Sequence, residues 1–149
     1  MEVKAPISGR VVPLSEVSDE VFAGGMAGDG VAIVPEAGGE AVAPVSGELV
    51  KLFEGGHAFG IVSDEGVELI VHLGLDTIEL RGKGFERIAA EGDRVRAGQP
   101  IVRFDLDTIR DAGYEVVTPV VVSNSDEFPV SAPADGKVSA GDTLFRVKS

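Results

Sequence analysis

The clearest pattern in the chain is period-two alternation. In Val67-Glu68-Leu69-Ile70-Val71-His72-Leu73, alternation puts Leu69, Val71 and Leu73 on one face of a strand and Glu68, Ile70 and His72 on the other. The segment His57-Ala58-Phe59-Gly60-Ile61 reads as a second strand with His57, Phe59 and Ile61 on a common side, and Ser63-Asp64-Glu65-Gly66 supplies a hairpin turn between the two. Antiparallel pairing across that turn would bring the two imidazoles together. A turn at Glu91 to Pro100 precedes the alternating run Ile101-Val102-Arg103-Phe104. A shorter version, Ala140 to Leu144, precedes Phe145-Arg146-Val147, and both read as hairpin arms. The helix signal is short: Asp105 or Asp107 as cap, Leu106 and Ile109 three apart, and Gly113 as stop. Single helical turns are expected near Glu16 to Val21 and Gly84 to Ala90.

One phrase recurs three times: Ala5-Pro6-Ile7-Ser8-Gly9, Ala43-Pro44-Val45-Ser46-Gly47 and Ala132-Pro133-Ala134-Asp135-Gly136. Proline presets φ, the Ser-Gly or Asp-Gly pair makes the tight turn, and β-branched residues then extend. The spacing is uneven, so this is a reused corner and not a solenoid repeat. Ser123 to Ser131 is polar and expected to form an exposed loop. The expectation is an all-β chain: residues 1–149 as one antiparallel β-sandwich or barrel-like domain with a few short helical turns.

Composition narrows the function classes. The 149 residues are 44% hydrophobic, enough for one packed core, with 20 glycines, 8 prolines and no cysteine. Disulfides and thiolate chemistry are therefore excluded. A net charge of -12 repels phosphate backbones and anionic lipid, so nucleic-acid and membrane binding are disfavoured and basic protein partners favoured. No apolar run reaches the roughly 20 residues that span a bilayer, and the N-terminus lacks the layout of a secretory signal. A cytoplasmic protein is expected, and Met1 at the start suggests a free-standing one.

His57 and His72 are the only histidines. Near its ordinary pKa of about 6.5, a neutral imidazole can act as base, metal ligand or nucleophile. A catalytic zinc site needs a third ligand, and the compact His-x-His and His-Glu-x-x-His spacings are absent, so no metal is expected. There is no Gly-x-Ser-x-Gly elbow; Ser8 and Ser46 sit in turns. The glycine-rich pieces at 23–30 and 55–56 lack a Gly-Lys-Ser/Thr ending, so they read as turns and no cofactor is expected.

Gly56-His57-Ala58-Phe59, Gly66 through Leu80, and Gly82-Lys83-Gly84-Phe85 closely resemble the glucose-type enzyme IIA of the bacterial sugar phosphotransferase system. The resemblance continues through Ala5 to Gly9, Asp19-Glu20-Val21-Phe22, Gly28 to Ile33 and Thr118 to Asn124, covering nearly all of the chain; its closing stretch aligns loosely. It implies an antiparallel β-sandwich in which His72 is phosphorylated on Nε2 and His57 hydrogen-bonds the phosphoryl group. It also implies the phosphocarrier protein HPr as donor and the IIB domain of a sugar permease as acceptor. Asp19 and Asp76 resemble the family's acidic residues flanking the site, and Phe22, Phe53, Phe59, Ile70 and Ile78 its apolar docking ring. Many relatives carry a hydroxyl residue two positions before the first histidine, where this chain has Gly55; backbone or water is expected to replace that contact.

Three other readings remain open at this level. A lysostaphin-type zinc peptidase shares a short His-Leu phrase and a turn like Gly92 to Gln99, but lacks the ligand spacing. A biotinyl or lipoyl carrier shares the same turn, yet neither Lys51 nor Lys83 sits at a suitable hairpin tip. A regulatory docking protein using the same face is compatible with the carrier reading. Paired imidazoles would also form half of a tetrahedral zinc site if a partner supplied a carboxylate. The sugar is not legible, because a carrier of this kind does not touch it.

Overall fold

The structure, a computed structural model, describes residues 1–148. Its strands are β1 (Glu2–Lys4), β2 (Gly9–Pro13), β3 (Asp29–Pro35), β4 (Gly39–Val42), β5 (Gly47–Leu52), β6 (Ala58–Ser63) and β7 (Glu68–His72). They continue with β8 (Phe85–Arg87), β9 (Arg94–Val95), β10 (Pro100–Phe104), β11 (Thr118–Val122), β12 (Val130–Ser131), β13 (Lys137–Val138) and β14 (Thr143–Val147). An eight-stranded sheet runs in the order β13-β2-β3-β11-β7-β6-β5-β9, and two three-stranded sheets run β1-β14-β12 and β4-β10-β8. Every pairing is antiparallel.

The main core joins all three sheets, with Phe145 and Leu144 from one small sheet and Ile101 and Val102 from the other. They pack with Ile33, Leu49, Phe59, Ile61, Leu69, Val71 and Val120 of the large one. A second core covers part of the large sheet's outer face and contains Val12, Leu14, Phe22, Ala32, Leu75 and Val121. Strand β11 lies between the two, which explains why its Thr-Pro-Val-Val-Val sequence does not alternate: all five positions are buried. The second core carries the short helix α1 (Glu20–Ala23), whose N-terminus is capped by Asp19 accepting the Val21 N–H at 2.9 Å.

The repeated corners are matched clasps. Ser8 Oγ accepts the Ala140 N–H at 2.9 Å, and Ser46 Oγ accepts the Ala97 N–H at 3.0 Å. Ala5 exchanges backbone bonds with Asp142 and Gly141 as Ala43 does with Gln99 and Gly98. The two later turns therefore hold the two corners and do not form hairpins of their own. Their strands go elsewhere: β9 pairs with β5, β10 with β4 and β8, and β14 with β1 and β12.

Helix α2 (Leu106–Asp111) lies where its signals put it, capped by Asp105 and followed by Gly113 at φ +88°. The expected turn at Glu16 to Val21 resolves into a 3-10 turn at Leu14–Glu16 followed by α1. The expected turn at Gly84 to Ala90 is instead the extended strand β8, because pairing Phe85 with Phe104 outweighs its weak helical spacing. A 3-10 turn at Thr77–Leu80 had no sequence forecast. The loop from Ser123 is tied to the histidine hairpin through Asn124, whose Oδ1 accepts the Glu68 N–H at 3.0 Å. Its Nδ2 donates to the Gly66 carbonyl at 2.9 Å. Among the described residues no helix is long and apolar enough to cross a membrane.

Candidate functional site

The β6-β7 hairpin builds the site. Its turn is closed by the Gly66 N–H on the Ser63 carbonyl (2.9 Å) and by Ser63 Oγ accepting the Val67 N–H (3.0 Å). The register sets Ile61 opposite Leu69, Phe59 opposite Val71 and Ala58 opposite His72. Leu69, Val71 and Leu73 fill the main core while Ile70 and His72 leave it, as the alternation requires.

His57 departs from its expected face. It precedes β6 and follows Gly56, whose φ of +82° bends the chain, so its ring turns away from Phe59 and Ile61 although its carbonyl still accepts the Leu73 N–H at 2.7 Å. The ring instead packs edge-on against His72, with centroids 5.4 Å apart. Phe53 and Phe85 bracket it at 5.1 and 6.5 Å. Phe85 was not anticipated as a site residue, although it closes the Gly-Lys-Gly-Phe phrase. Phe59, expected in the docking ring, is only 1% exposed and belongs to the core, so it offers no docking surface.

A backbone contact orients His72. Its Nδ1 lies 2.6 Å from the Gly74 carbonyl. A carbonyl only accepts, so Nδ1 carries the proton and Nε2 keeps a free lone pair. Gly74 is fixed at φ +81°, and an added Cβ would lie 2.7 Å from Thr77 Cγ2 and 2.8 Å from the Glu115 carbonyl oxygen. The flanking 3-10 turn is anchored by Thr77 Oγ1 donating to the Leu73 carbonyl at 2.8 Å. It begins at Asp76, a non-glycine residue at φ +60°.

Burial lowers the pKa of His72, against the upward pull of the Gly74 carbonyl and of the Asp19 and Asp76 carboxylates. His57 is pushed down to about 4, first by burial and then by repulsion from His72. Both rings are therefore neutral at pH 7. The unfolded chain binds a proton at His57 below about 6.5 and the folded chain only below about 4, so this residue's contribution is complete above 6.5 and lost as pH falls toward 4. Between pH 7 and 4.5 the wild type should lose roughly 2 kcal/mol more stability than His57→Gln. Paired denaturant titrations check this; parallel losses would contradict it.

Gly55 bears on how His57 is held. A Cβ there would meet His57 Nδ1 and the Gly82 nitrogen, each at 3.3 Å, so a hydroxyl residue would reach the ring. In this chain the ring is already bracketed by Phe53, Phe85 and His72. Gly55→Thr should accordingly change the rate of the phosphoryl transfer that the resemblance implies by less than about threefold. Rapid-quench timing that found a large acceleration would show that the missing hydroxyl had not been replaced.

The rim is apolar. Phe22 lies edge-on to His72 at 5.7 Å, Lys51 Nζ sits 5.4 Å from the centroid of the half-buried Phe53 ring, and Ile70 is half-buried. Ile78 is exposed, as are Val21 on α1 and Met26 in the turn after it; neither Val21 nor Met26 was among the candidate docking residues. A groove of 470 Å³, lined in part by Val50, Phe53, Val62 and Ile70, continues this surface. Among the described residues no three His, Asp or Glu side chains cluster as a metal site.

Residues 1–128 match the family described as the phosphoenolpyruvate-dependent sugar phosphotransferase system, EIIA 1. The chain belongs to this family. Over 144 residues it is 46% identical to the PTS system glucose-specific EIIA component of Haemophilus influenzae, covering 97% of this chain and 86% of that one. It is 47% identical to the PTS system beta-glucoside-specific EIIBCA component of Bacillus subtilis, covering 96% of this chain but only 24% of that longer protein. The solved structure of glucose permease IIA from Mycoplasma capricolum superposes with a TM-score of 0.92 at 39% identity, covering 97% of this chain and 94% of that one. This EIIA chain is thus a phosphotransferase component with the β-rich IIA fold, a phosphoryl carrier in sugar uptake. The zinc-peptidase and biotinyl-carrier readings fall away.

Proposed function

We propose that His72 Nε2 receives a phosphoryl group from HPr and passes it to the IIB domain of a sugar permease in the cytoplasm. The observation that carries this reading is the His72–Gly74 hydrogen bond, which leaves a directed lone pair on Nε2 at the centre of an apolar rim. In the charging step, Nε2 attacks phosphorus in line as the donor's P–N bond breaks and returns its electron pair to the donor ring. Positive charge develops on the His72 ring, and the Gly74 carbonyl, accepting from Nδ1–H, stabilises it. His57, held edge-on 5.4 Å away, supplies an N–H for the transferring oxygens. The second transfer reverses these steps toward the acceptor.

The rim serves docking. Phe22, Phe53, Ile70 and Ile78 exclude water from the labile P–N bond, and Asp19 and Asp76 orient a basic partner toward a chain of net charge -12. Incubation with phosphoenolpyruvate, enzyme I and HPr tests the reading by intact mass. The expected result is an acid-labile gain of one phosphoryl group that a purified IIB domain discharges; no gain with demonstrably active donors would overturn it.

A further inference from the structure

We propose that Met26 is a sulfoxidation site through which oxidant weakens docking of the phosphoryl donor; this rests on the carrier reading above. The chain has no cysteine and two methionines, so beyond Met1 its only sulfur is at Met26. Met1 is half-buried against the main core, and its amino group donates to the Val147 carbonyl at 3.1 Å. Met26 is 82% exposed.

Its position gives the exposure a consequence. The turn after α1 folds back on the helix, with the Gly25 N–H on the Phe22 carbonyl at 3.1 Å and the Ala27 N–H on the Val21 carbonyl at 3.2 Å. At its far end the turn is pinned to β11: Gly28 runs so close that a Cβ there would lie 2.1 Å from the Val122 carbonyl oxygen. Ala27 packs inward against the second core while Met26 faces solvent, in a turn bonded back to the helix whose Phe22 touches His72. The thioether is therefore an exposed, unbranched apolar group four positions after the Phe22 ring that packs on His72, held by a turn that does not depend on it.

Oxidation by hydrogen peroxide balances simply. A sulfur lone pair attacks one peroxide oxygen, the O–O bond breaks, and the products are the sulfoxide and water, with sulfur oxidised by two electrons and peroxide reduced by two. The sulfoxide is polar and must lose hydration when a partner covers it, so docking weakens while the fold does not change.

The test titrates hydrogen peroxide against the chain, locates the added oxygen by peptide mass mapping, and measures phosphoryl transfer from phospho-HPr before and after. The mono-oxidised protein should show KM for phospho-HPr raised about fivefold with kcat changed less than twofold and Tm unchanged, reversed by methionine sulfoxide reductase. Met26→Gln should raise KM similarly, and peroxide should not alter the KM of Met26→Leu relative to its own untreated sample. Unchanged KM at full Met26 oxidation, preferential oxidation of Met1, or an equal peroxide effect in Met26→Leu would each overturn the inference. If the untreated chain takes no phosphoryl group, it is the carrier reading that fails, and the docking consequence goes with it.

Discussion

Replacing His72 with glutamine should abolish acid-labile phosphorylation outright, while His57→Gln should still be charged, about 100-fold more slowly. The difference follows from the geometry. Only His72 has one ring nitrogen committed to a carbonyl acceptor, which fixes the tautomer and leaves Nε2 as the nucleophile. His57 contributes an N–H beside the transferring group, and removal of one such donor from a preorganised site typically slows a reaction 100- to 1000-fold. Glutamine keeps approximate size and polarity in both variants, so circular dichroism and Tm should remain close to wild type. Rapid-quench labelling from phospho-HPr separates the two cases. Residual stoichiometric labelling of His72→Gln would move the acceptor elsewhere.

Gly74→Ala should damage stability and transfer together. At φ +81° a side chain is strained, and the added Cβ would be driven to within 3 Å of Thr77 Cγ2 and the Glu115 carbonyl. Neither neighbour gives way readily: Thr77 is fully buried and bonded to Leu73, and the Glu115 carbonyl accepts the Leu75 N–H at 3.0 Å. Strain and overpacking together should cost about 2–4 kcal/mol. The displaced Gly74 carbonyl would release His72 Nδ1 and slow charging at least about tenfold even in the folded fraction. Gly92→Ala provides the contrast, because Gly92 also has a positive φ, +94°, but nothing lies within 4 Å of the added carbon. It should lose about 1 kcal/mol with transfer unaffected. Equal effects of the two substitutions would show that the Gly74 contacts do not matter.

The parts of this site legible in the sequence were those written in local periodicity. Alternation through β7 put His72 outside the core because each neighbour obeyed the pleat, and the Ser63 to Gly66 turn identified its partner strand. The same rule failed one residue beyond β6, where Gly56 bends the backbone and redirects His57; a period-two count has no term for that bend. Phe59 shows the converse: the resemblance placed it on the docking ring, whereas the structure buries it in the main core opposite Val71, because alternation set it on one side with Ile61 without saying which side faces the core. The β8 segment was ambiguous because Phe-Glu-Arg-Ile fits either period until Phe104 is known to lie opposite. The Gly74 carbonyl was beyond local reading altogether. Its direction depends on Thr77 and on Glu115, which lies 41 positions later in the chain. Phe85 and Met26 also needed the tertiary structure, one to bring it onto the His57 ring and the other to expose it on the turn that follows Phe22.

The central claim concerns one atom, and nitrogen-15 NMR of the histidine-labelled chain charged from phospho-HPr observes it directly. The account predicts a phosphorus coupling at His72 Nε2, with Nδ1 still protonated and donating to Gly74. Phosphorus on His72 Nδ1, or on either nitrogen of His57, would contradict it.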